Sequence, residues 1–152
     1  MLLTEPHADW GDMSIVPHAN YDGIMGYNIV TRPSAITDGL TNTILLIEVA
    51  GGPAIFRNGR ELVGAQAVGY SPYDPQSPFL VDGSCEYGSR YPGPYWNLTN
   101  LSGLDGEPYG FHTNVILTGF ADGSVRRLAK ELDIRVFVKL VGKADGMVIE
   151  DY

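Results

Sequence analysis

The chain has 152 residues, 44% of them hydrophobic and 18% charged, with 19 Gly and 10 Pro, which suits one loop-rich domain with its own core and is too apolar for intrinsic disorder. A formal net charge of −8 argues against a nucleic-acid partner, because phosphates are bound by Lys and Arg. The single cysteine, Cys85, excludes an internal disulfide and a multi-cysteine metal site, leaving an unreactive half-buried thiol or one that reacts between chains.

Residues 1–35 hold Pro6, Gly11, Pro17, Gly23, Gly26 and Pro33 with no sustained period, and read as a loop-rich N-terminal segment of a single domain, with a short strand at 26–30. His7 near Glu5 and Asp9, and His18 near Asp22, lack the spacing of a dedicated metal site and read as solvated polar loop. No window approaches the roughly 18 apolar residues of a membrane span, and the first residues lack the basic and apolar regions of a signal peptide.

Asp38 is placed to cap a short helical turn through Asn42. The apolar run 43–49 then reads as a central strand, interrupted by Glu48. A carboxylate there needs a partner or an edge position, because burying it alone costs several kcal/mol, on the order of 3–5 when a partner is removed. A structural partner, a cation and a filament contact are the three uses open to it. Asn58-Gly59 predicts a turn between strands at 54–57 and 61–63.

Residues 70–106 are dominated by Ser, Pro, Tyr, Gly and Asn and predict irregular structure. Tyr70, Tyr73, Tyr87, Tyr91, Tyr95 and Trp96 form either an apolar contact surface or a cover for the sheet. Asn97-Leu98-Thr99 and Asn100-Leu101-Ser102 match the N-glycosylation tripeptide, a pattern common by chance.

The stretch 109–128 organises the chain. Two apolar runs flank Ala121-Asp122-Gly123-Ser124, which predicts a β-hairpin with Asp122-Gly123 in a type I′ turn. His112 precedes the first strand, and the residues between it and Asp122 hold the two side chains apart by roughly 30 Å if extended. Asp133 predicts a helix N-cap, and Ile134, Phe137, Val138 and Val141 share one apolar stripe in a helix from 134 to about 143. Asp145-Gly146 turns into a short last strand at 147–150. The sum is an α+β fold, mainly antiparallel sheet with long loops and one C-terminal helix.

No nucleophile elbow, phosphate loop or catalytic-thiol motif is present, so the chain reads as non-enzymatic; His112 beside Phe111 reads as structural, its ring N–H donated to a carbonyl. Asp22, Asp38, Asp82, Asp105, Asp122 and Asp145 each precede Gly, which suits turns and leaves calcium open as a ligand, although no calcium-loop spacing appears.

Two blocks in order, 36–48 with Asp38, Gly39, Asn42 and Glu48, and 110–128 with His112, Asp122 and Gly123, resemble a planctomycete-type prepilin-like family whose C-terminal signature is His, nine residues, Asp-Gly. The end at 145–149 is similar to the family's closing Gly-rich turn and strand. The resemblance implies a pilin or pseudopilin globular head over residues 36–152, self-associating or meeting other pilin-like subunits in a filament or type II secretion pseudopilus. It implies a cell-surface, extracellular or periplasmic location. Related pseudopilins bind calcium in C-terminal loops, which makes Asp82, Asp105, Asp122 and Asp145 candidate ligands. Members begin with a leader and a hydrophobic helix; neither is read here, so a globular portion of a longer subunit or a standalone product is expected. The alternative is an extracellular carbohydrate- or ligand-binding module using the Tyr and Trp residues of 70–96.

Overall fold

The hairpin around Asp122 forms as a tight connection between strands β6 (Val115–Phe120) and β7 (Val125–Ala129) of a computed structural model. The structure describes residues 23–25, 29–66, 95–102, 105–147 and 149, without the side chains of Ser102 and Asp105. The turn is not type I′. Gly123 N donates to Phe120 O at 3.0 Å and only Gly123, at φ 85°, is left-handed, so Asp122 keeps a negative φ and the loop is a type I turn closed by a Gly bulge. Asp122 contributes differently: its Oδ1 accepts from Ser124 N at 2.8 Å.

Strand β1 (Ile44–Ile47) pairs antiparallel with β6, giving the order β1-β6-β7 with a bulge at Leu45. The predicted central strand is therefore at the edge, and β6 is central. An apolar run suits either place, and what decides is that β6 pairs on both sides. Ile44, Ile116, Phe120 and Leu128 point to one face. Helix α1 (Ile134–Val141) covers that face with Ile134, Phe137, Val138, Leu140 and Val141, all buried. Each fully buried side chain of this size contributes about 1.5–3 kcal/mol of transfer free energy. Asp133 Oδ1 caps the helix by accepting from Arg135 N at 2.7 Å. Gly142, extended at ψ 135°, ends it two residues before the expected end.

Strands β2 (Ala54–Arg57) and β3 (Arg60–Gln66) form a second hairpin. Its turn residues Asn58 (φ 48°) and Gly59 (φ 77°) are both left-handed, as a type I′ turn requires. The short strands β4 (Leu101–Ser102) and β5 (Asp105–Gly106) make a third pair. A 3-10 turn spans Pro33–Ala35. The architecture is α+β, mainly antiparallel sheet with one helix at the C-terminal end. No helix among the described residues is long and apolar enough to cross a membrane.

Residues 29 and 30 are not in a strand, and 26–28 lie outside the described residues. Met147 and Ile149 are also not in a strand; instead both pack against the core cluster. The Cys85 thiol, Tyr70, Tyr73, Tyr87, Tyr91, Asp82 and the His7 and His18 groups lie outside the described residues.

Candidate functional site

The signature residues are built into joints between distant segments. Asp38 does not cap its local turn, where Asn42 N donates to Gly39 O. Its carboxylate accepts from Asp145 N at 2.6 Å and Gly146 N at 3.0 Å, tying the first block to the last. Gly39 carries φ 95° at the head of that turn, and its carbonyl also accepts from Thr43 Oγ1. Across from it, Asp122 N donates to Leu40 O and Ala121 N to Thr43 O, so the hairpin tip is fastened to the same block.

Glu48 follows the end of β1, where its Oε2 accepts from Leu117 N at 3.3 Å and its Oε1 lies 3.6 Å from His112 Nε2. The imidazole of His112 thus faces a carboxylate and not the carbonyl that the sequence suggested. Gly110 permits this approach: a Cβ there would stand 2.8 Å from Glu48 Oε2. His112 and Asp122 do not meet; Asp122 Oδ2 lies 3.6 Å from Arg126 Nη2 instead.

Asp145 Oδ1 accepts from Met147 N at 2.8 Å, while its Oδ2 is buried with no donor and faces the Asp38 carboxylate. Burial first, then the neighbouring Asp38 charge, push the Asp145 carboxyl above its ordinary range. Asp122 is held below its ordinary range, chiefly by hydrogen bonds from Ser124. No group of three or more His, Cys, Asp or Glu is placed to share a metal ion among the described residues.

Next to Gly110 opens a groove of about 760 Å³, walled by the Asn58-Gly59 turn, residues 95–98, 109–111 and 130–133. Tyr109 is buried in its wall, with its hydroxyl accepting from Gly59 N at 3.0 Å. Phe111 stands over it, 59% exposed, edge-on to Phe56 (4.8 Å, 85°) and to Tyr109 (5.6 Å, 88°). Tyr95, 44% exposed, lines the same groove. Lys130 Nζ donates to Gly110 O at 2.8 Å and sits 5.9 Å from the Tyr109 ring centre. It forms no ion pair among the described residues.

Trp96 is not part of a contact surface. It is 1% exposed, stacks on Phe137 at 4.1 Å and donates Nε1–H to Leu132 O. Neither sequon asparagine is free for a glycan. Asn97 Nδ2 donates to Lys130 O, and buried Asn100 accepts from Phe56 N while donating to Ala50 O and Ala54 O. Phe111 and Lys130 were not singled out as binding residues from sequence; their only signal there is adjacency to the His112 motif and to the end of the second hairpin strand.

A family model described as "Protein of unknown function (DUF1559)" matches residues 6–135. No curated protein and no solved structure matches.

Proposed function

We propose that this chain, which belongs to the family of proteins of unknown function DUF1559, serves as a non-catalytic, pilin-like structural subunit, assembled into or displayed on a filament or secretion pseudopilus at the cell surface or in the periplasm. The observation that carries this reading is where the signature side chains are used. Asp38 holds the Asp145 and Gly146 amides, Glu48 holds the Leu117 amide beside His112, and Asp122 bonds its own turn. A motif built from such joints maintains a framework, and the framework leaves a face for partners.

That face is the outer side of the sheet. Val125 is 71% and Leu46 57% exposed there, flanking Gly119 of the central strand, and Leu117 lies two residues along that strand, opposite Arg127. Large exposed apolar side chains on a sheet whose outer strands are β1 and β7 suit subunit packing or strand addition. Negative-stain electron microscopy of the purified chain, with and without millimolar calcium, tests the reading. Filaments or rings that disappear in Leu117→Glu support it. Dispersed monomers in every salt and calcium condition, with no change in Leu117→Glu, count against self-assembly.

The groove favours a second reading, a ligand-binding module. It places exposed aromatic rings and an ammonium group around one cleft.

A further inference from the structure

We infer that the groove beside Gly110 binds a saccharide carrying carboxylate groups, with Phe111 and Tyr95 as stacking rings and Lys130 as the counter-charge. This deepens the ligand-binding reading and does not depend on assembly.

Phe111 is the first reason. Large aromatic side chains tend to be covered, yet this one is 59% exposed while pinned edge-on by two other rings. A ring fixed in that way loses little freedom when a flat, partly apolar surface comes down on it. The C–H face of a pyranose is such a surface, and Tyr95 adds a second ring to the lining of the cleft.

Lys130 supplies the charge. An ammonium group has three N–H donors, and among the described residues Lys130 Nζ donates only to Gly110 O. A half-buried cation with no carboxylate partner among the described residues, lining a cleft, suits a carboxylate on the ligand. Asn114, at a left-handed backbone position, lines the same cleft, and a side-chain amide both donates to and accepts from hydroxyls.

Two carboxylates also line the groove. Asp133 is occupied by the helix cap, and Glu131 is exposed at the rim. Their charge, with the net −8 of the chain, weakens the binding of any anion, so an acidic ligand must gain affinity from a face that the rings can hold as well as from Lys130. An acidic peptide offers the charge but no pyranose face for the rings.

The test is calorimetric titration of the full chain with tetragalacturonate, with a neutral galactose tetramer, and with polyglutamate. The expected result is tetragalacturonate binding that weakens about tenfold or more in Lys130→Met, is retained in Lys130→Arg, and strengthens about twofold in Glu131→Gln. Phe111→Ala, an exposed site whose replacement leaves the core intact, is expected to weaken both sugars. Thermal melts establish that each variant is folded. No binding of tetragalacturonate at millimolar concentration overturns the inference. So does equal binding by folded Lys130→Met, an unaffected Phe111→Ala, or polyglutamate binding as tightly as the uronate, which would assign the groove to acidic peptide or to charge alone.

Discussion

Glu48 and His112, from the two halves of the signature, meet at 3.6 Å, and the same carboxylate receives the Leu117 amide on its other oxygen. The two contacts are unequal. His112 is half exposed, so its pairing is worth at most about 1 kcal/mol. The Leu117 amide lies within the central strand and needs its acceptor. Urea unfolding is therefore expected to show a loss below about 1 kcal/mol for His112→Ala and about 1–3 kcal/mol for Glu48→Ala. Equal losses would mean that the imidazole, and not the strand amide, is what Glu48 supports.

Gly110→Ala should reproduce the Glu48 defect without touching its charge, since the new Cβ would meet Oε2 at 2.8 Å. That carboxylate is the far end of a flexible side chain and can swing aside, so we expect destabilisation no larger than the loss of its bond from Leu117 N, about 1 kcal/mol, measured by the same unfolding curves. In the Glu48→Ala background the Gly110→Ala cost should shrink. Additive costs would indicate that the two positions act separately.

Asp145 sets a pH dependence whose sign follows from its raised carboxyl. The folded state holds that proton more tightly than the unfolded chain, so this group lowers stability as pH rises from the ordinary 3.8 through the raised folded value, and relieves it on acidification. Lys139 moderates the effect. Asp122 acts oppositely: its stabilisation is present above 3.8 and is lost as pH falls through its lowered folded value. Asp145→Asn keeps an acceptor for Met147 N and places an amide toward Asp38. It is expected to be at least as stable as the parent at pH 7 and to lose the Asp145 limb of the pH profile. Thermal melts across pH check this; a less stable Asn variant with the limb intact would contradict it.

Asn100 joins the second hairpin to the segment after Trp96 through three side-chain hydrogen bonds, all inside the protein. Removing them orphans the Phe56 amide and two carbonyls, so Asn100→Ala should cost about 3 kcal/mol or more. Ser102→Ala abolishes the sequon while keeping the Asn100 side chain and those bonds. Denaturation of the two variants side by side separates a structural role from glycosylation.

Local signals were legible where a short stretch decides the outcome. Asn58-Gly59 supplies two left-handed positions in succession, and Asp133 precedes an apolar stripe of helical period, so the second hairpin and the helix could be read directly. The joints were not legible, because Asp38 reaches amides 107 and 108 positions away and could equally have capped its own turn. Trp96 illustrates the same limit. Its aromatic-rich neighbourhood does not say which ring meets Phe137, and the tripeptide around Asn100 says nothing about burial.

The central claim is that the signature residues hold segments together, and native-state hydrogen exchange at the Asp145 and Gly146 amides tests it most directly. In Asp38→Ala both amides are expected to lose their protection while the amides of β6 stay slow relative to them. Unchanged protection at Asp145 and Gly146 would contradict the account, because the Asp38 carboxylate would then not be the group that holds the C-terminal segment in place.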